Sequence, residues 1–174
     1  MQLEKVIGTS SKGPNSICVN PANGDVCYLA GSHLVIYSPR DAKQVKFLSA
    51  RKSRPFQCCR FSSDGKYLAA GESAFKSPQI TIWEIEYEQI QMRQQLADSH
   101  TTADWAAQEE SPGADEAGST ATATMACIRQ AVSYTEVKRL QGHTYGIEAV
   151  MFSPRSDFLI TLGDQKNLSL FVWD

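Results

Sequence analysis

The sequence predicts an all-β fold, about three antiparallel sheets of four strands arranged as blades of a β-propeller. The first observation behind this is self-similarity. The stretch Ser16 to Ser38 lines up with Phe56 to Glu84 and with Ile147 to Asp174. Each copy runs apolar strand, turn, second strand ending at a glycine, third strand ending near an aromatic. The second is spacing: Val19 and Phe61 stand 42 residues apart, and a period of roughly 40–45 residues marks propeller repeats. The third is local. Tyr67 to Ala70, Ile80 to Trp83 and Phe158 to Thr161 are short β-branched and aromatic runs bounded by turn residues, as strands require.

Taken in order, the elements agree. Asn23-Gly24 and Asp64-Gly65 supply the positive-φ residue of a tight hairpin in the first two copies. Leu3 to Ile7, Gln44 to Leu48 and Glu136 to Leu140 each precede a copy and are read as the outer, fourth strands. Phe61 and Phe152 are 91 residues apart with no further blade pattern between them, so the excess is an insertion. The expected organisation is residues 1–84 as two blades, 85–135 as an acidic low-complexity insertion and 136–174 as a third blade at which the chain is truncated. The insertion carries 2 basic and 8 acidic side chains and few large apolar ones. It is expected to be disordered, with at most a helix over Glu86 to Ala97. About three blades leave an open arc, because propellers close with about four to eight.

Composition narrows the function classes. A chain of 174 residues with 42% hydrophobic content and net charge -2 is globular and has no global attraction to nucleic acid or anionic membrane. No apolar run approaches the roughly 18–20 residues that cross a bilayer, and the start lacks a secretory apolar core. The expected location is therefore the cytosol or nucleus. Cys18, Cys27, Cys58, Cys59 and Cys127 are odd in number and form no C-x-x-C pair. They are read as reduced core cysteines, with no metal and no disulfide. His33, His100 and His143 are scattered, and no nucleophile elbow, metalloprotease helix or phosphate loop occurs. No catalytic residue, cofactor or metal site is assigned.

Other features carry two readings each. Trp83 and Trp173 end third strands and are expected to pack between blades, while Trp105 stands alone in the insertion as a recognition candidate. Arg51, Lys52, Arg54 and Arg60, near Arg40, Lys43 and Lys46, either bind phosphate or an acidic partner or form a solvated loop and outer strand. No aromatic platform interleaves them, which argues against nucleic acid. Of four Ser-Pro pairs, Ser38 and Ser153 are accounted for by turns. Ser77 and Ser111 lie in loop-like sequence as candidate phosphorylation sites.

Gly142-His143, with Trp173-Asp174 thirty residues on, resembles the Gly-His and Trp-Asp signature of WD-repeat proteins. The resemblance implies that His143 locks its blade through an aspartate in the turn between the second and third strands. That position, six before the tryptophan, holds Asn167 here, and Asp164 sits three residues earlier. The implied blade positions are Gly142, His143, Asn167, Trp83 and Trp173.

The runs LEKVIG, YLAGSHLVIYSPR, LSARK, FSSDGKYLAAGES and LQGHTYGIEAVMFSP, in that order, resemble more narrowly the amino-terminal blades of the mitogen-activated-protein-kinase-binding WD-repeat scaffolds, the family of the microcephaly-associated spindle-pole protein. This resemblance implies a non-catalytic scaffold for c-Jun N-terminal kinase signalling or spindle-pole assembly. It would be cytoplasmic or centrosomal, with kinases or centrosomal proteins as partners; self-association is a separate expectation, because an open arc exposes apolar faces at its ends. Two alternatives stay open: a cytoskeletal or ciliary WD-repeat factor, and a hydrolase built on a propeller.

Overall fold

The structure, a computed structural model, describes residues 8–10, 13–51, 53–91, 127–166 and 168–174. A 3-10 turn, Pro14–Ser16, leads into strands β1 (Ile17–Val19), β2 (Val26–Ala30), β3 (His33–Ser38) and β4 (Lys43–Ser49), which pair in that order as one sheet. The second sheet is β5 (Phe56–Phe61), β6 (Tyr67–Glu72), β7 (Gln79–Gln91) and β8 (Cys127–Gln141). The third is β9 (Ile147–Phe152), β10 (Leu159–Gly163) and β11 (Leu170–Trp173). All pairings are antiparallel. These are partial propeller blades, as the repeat predicts. Gln44 to Leu48 and Glu136 to Leu140 lie within the outer strands β4 and β8, while Leu3 to Ile7 lies outside the described residues.

The turns form where the sequence places them. Gly24 and Gly65 adopt φ +81° and +74°, which an L side chain resists. Gly65 is constrained twice over: a Cβ there would stand 2.5 Å from Asn20 Oδ1 and 2.6 Å from Ala22 Cβ. In the third copy the turn uses Ser156 at φ 63° instead.

The three sheets stack in succession, β1 and β2 against β5, then β5 and β6 against β9. Two cores result. One lies between the first and second sheets and includes Leu29, Leu34, Ile36, Phe56, Phe61, Leu68 and Trp83. The other lies between the second and third and includes Cys58, Ala69, Ile80, Ile147, Val150 and Leu159. The two-residue period of a strand explains the division. On β6, Leu68 and Ala70 face the first core and Ala69 the second, while on β5 Cys59 and Cys58 divide in the same way. Close approach needs Gly71, where a Cβ would sit 2.7 Å from Ile147 Cγ2. The third sheet is covered on one face: Leu159, Thr161 and Gly163 are buried, while Leu162, Leu170 and Val172 are exposed.

One boundary differs from the sequence expectation. Residues 85–91 and 127–135, expected within the disordered insertion, continue β7 and β8 as a paired ribbon, from Ile85↔Tyr134 to Gln91↔Cys127. The expected helix over Glu86 to Ala97 is strand as far as Gln91, and residues 92–126 lie outside the described residues. The physical reason is packing. Tyr87, Ala131 and Tyr134 lie against the first core, and the Tyr87 hydroxyl donates to Gly65 O while accepting from Asn20 Nδ2 at 2.7 Å.

Candidate interaction surface

The loops at one end of the three sheets lie side by side. Phe56 N donates to Gly31 O at 2.9 Å, Ser73 N to Pro55 O at 2.8 Å and Asp164 N to Gly146 O at 2.8 Å. Arg54, whose guanidinium lies 3.5 Å from the buried Glu72 carboxylate, also donates to the carbonyls of Lys76 and Ser77 at 3.2 and 3.0 Å. On this end the Phe75 ring is 68% exposed. It meets the Tyr145 ring edge-on at 5.3 Å, and Lys166 Nζ stands 5.0 Å from its centroid. Phe75, Tyr145, Ser73, Ala74, Gly146 and Asp164 surround a recess of about 190 Å³. An exposed ring flanked by a second ring and a cation is an anchor of the kind that binding surfaces favour.

Beneath this end a buried hydroxyl network fixes the Tyr145 loop. His143 is 3% exposed; its Nε2 lies 2.8 Å from Thr161 Oγ1 and its Nδ1 3.0 Å from Ser169 Oγ. Trp173 Nε1 donates to the same Thr161 hydroxyl at 2.9 Å. A neutral imidazole offers one N–H donor and one acceptor nitrogen, and each hydroxyl can take either role, so the ring bonds both Thr161 and Ser169 without carrying a charge. Burial pushes the His143 pKa below its ordinary value, against an opposing pull from Asp164. Gly142 leaves room for the indole, since a Cβ there would approach Trp173 Cη2 to 2.9 Å.

The other sequence candidates are placed as follows. Trp83 is 4% exposed in the first core, edge-on to Phe56 at 6.1 Å. Asn167, Ser111, Trp105 and Lys52 lie outside the described residues. The two ring nitrogens of His143 are taken by Ser169 and Thr161, while Asp164 Oδ1 accepts from Lys166 N. Ser77 is exposed on the Phe75 loop with φ 48°. The basic residues do not gather into one cluster. Arg54 and Arg51 sit at the Phe75 end, Lys43 and Lys46 on β4, Arg60 on β5, and Arg40 at the opposite end, where it reaches Asn23 O. Sequence reasoning missed Thr161, Ser169, Phe75, Tyr145 and Lys166.

Four cysteines, Cys18, Cys27, Cys58 and Cys59, are free and buried. Three of them converge: the Sγ atoms of Cys18, Cys27 and Cys59 all lie within 4.8 Å of one another, with Cys18 and Cys59 at 3.6 Å. Thiol donors from Cys27 and then Cys59 lower the Cys18 pKa against the effect of burial. Cys58 faces the other core, bonds to Ile147 O at 3.3 Å, and is pushed up to about 12 by burial.

Comparison with known proteins adds the following. The family model for the WD domain, G-beta repeat, matches residues 42–84 and 134–174. WD repeat-containing protein 62 of Sus scrofa is 36% identical over 104 residues, 59% of this chain and 6% of that protein. Mitogen-activated protein kinase-binding protein 1 of Homo sapiens is 36% identical over 89 residues, 51% of this chain and 6% of that protein. Centriole proteome protein 16 of Chlamydomonas reinhardtii is 28% identical over 169 residues, 97% of this chain and 7% of that protein. The chain thus spans about 6–7% of the length of these relatives.

Proposed function

Because the chain carries WD repeats, we propose that it is a non-catalytic scaffold module that docks other proteins on the loop end bearing Phe75, Tyr145 and Lys166. The observation that carries this reading is the 68% exposed Phe75 ring, held edge-on to Tyr145 beside a lysine. A large apolar ring fixed in water contributes nothing to the cores, and hot spots are enriched in aromatic and cationic anchors. The partner in this reading is a mitogen-activated protein kinase, supported by the name of one relative, and the setting is a centrosome or centriole, supported by the name of another. Ser77, exposed beside Phe75, is the candidate phosphorylation site on the same surface, and a phosphate there would face Arg54, whose guanidinium already binds its loop.

The test is binding of purified c-Jun N-terminal kinase to the intact chain and to Phe75→Ala and Lys166→Glu. The expected result is a loss of more than about tenfold in affinity with an unchanged denaturation midpoint. Unchanged affinity in both variants overturns the surface assignment. A second reading, a centriolar or ciliary structural factor, rests on the alignment with the centriole protein across 97% of this chain. It is favoured if the wild-type chain ignores the kinase but binds purified centriolar components through Phe75.

A further inference from the structure

We propose that Cys18, Cys27 and Cys59 form a three-thiolate site for a soft monovalent cation, Cu(I), between the first and second sheets. The geometry comes from the fold. Cys18 and Cys27 are register partners on β1 and β2, so their side chains leave the same face of the first sheet. β5 brings Cys59 against that face from the second sheet. All three sulfurs lie within 4.8 Å of one another. A thiolate–metal bond of about 2.3 Å places three trigonal sulfurs about 4.0 Å apart, so the Cys18–Cys59 pair at 3.6 Å opens slightly and any wider pair, none beyond 4.8 Å, contracts by less than about 1 Å.

The donor set selects the ion. Thiolates in an apolar surround favour soft cations. Among the described residues the group holds three sulfurs and no histidine or carboxylate. Three donors satisfy three-coordinate Cu(I), whereas structural Zn(II) requires a fourth. Each thiol that ligates as thiolate gives its proton to solvent, so apparent affinity rises with pH. The way in is β1, three residues long and paired on one side, whose parting exposes Cys18.

The experiment is anaerobic titration of the reduced full chain with Cu(I) against a chromophoric Cu(I) chelator, followed by native mass spectrometry and X-ray absorption. The expected result is one Cu(I) per chain with three sulfur neighbours, bound more weakly as pH falls. Cys18→Ser and Cys59→Ser lose that equivalent, while Cys58→Ser and Cys127→Ser keep it. Circular dichroism checks that each variant is folded. Should a serine variant unfold, alkylation of the wild-type chain decides instead, with bound Cu(I) expected to protect three thiols. The proposal is overturned by no stoichiometric binding, by binding that survives Cys18→Ser or depends on Cys58, or by Zn(II) outcompeting Cu(I).

Discussion

His143 and Trp173, thirty residues apart in sequence, address the same oxygen, the Thr161 hydroxyl, at 2.8 and 2.9 Å. Removing the ring leaves a buried hydroxyl and Ser169 short of a partner, so His143→Ala is expected to destabilise by about 1–3 kcal/mol. The effect depends on pH. Burial lowers the folded pKa of His143, so the unfolded chain takes up the proton first. The contribution is full above the unfolded imidazole pKa of about 6.5 and is lost as pH falls below it towards the folded value. Urea midpoints measured from neutral to mildly acidic pH should fall more steeply for wild type than for His143→Ala; parallel slopes would remove His143 as the cause.

Trp83 is expected to carry more. It is buried in the first core against Phe56, and Trp83→Ala loses transfer energy and leaves a cavity, roughly 3–5 kcal/mol. An unchanged denaturant midpoint would contradict its packing between sheets.

Gln91 and Cys127 are register partners at the end of the β7–β8 ribbon. Everything between them therefore starts and finishes at one point, and a two-residue Asn-Gly turn can join the strands. Replacing residues 92–126 by that turn is expected to leave stability unchanged or raise it by up to about 2–3 kcal/mol, since closure costs about 0.6 kcal/mol less for each halving of loop length. A large loss of stability would mean that the replaced segment packs on the sheets.

The third sheet presents Leu162, Leu170 and Val172 on its outer face, and exposed apolar faces of this kind associate. The isolated chain is expected to sediment above its monomer mass, and Leu170→Asp with Val172→Asp to restore the monomer. A wild-type chain already monomeric at high concentration would refute this.

The repeated sheets were legible because they rest on local signals: alternation along β5 and β6, and glycines at positive φ in the Asn23-Gly24 and Asp64-Gly65 turns. The ribbon was not, because averaging composition over residues 85–135 hid the alternation of Ile85 and Tyr87 with the glutamates beside them, and because a bulge opposite Glu86 and Tyr87 breaks the two-residue period between Tyr134 and Ala131. His143 was legible as a residue but not in its bonds. The family resemblance implied a turn aspartate, a position that holds Asn167 here, whereas the ring uses Ser169 and Thr161, hydroxyls that look like any others until the strands are paired. Phe75 and Tyr145 come from different loops, and only the packing of β5 and β6 on β9 brings them within 5.3 Å.

The partition of β5 and β6 between two cores gives the molecule a one-dimensional character. The first and third sheets touch different faces of the second, so stability is transmitted between neighbours rather than shared by the whole. Damage confined to the first core, at Leu34 or Ile36, should fray one terminal unit and leave the other standing. A defect in β6 has no such refuge, because Leu68 and Ala69 report to opposite sides. The middle sheet is therefore where cooperativity resides, and a substitution there is felt at the Phe75 end and at the far turns alike.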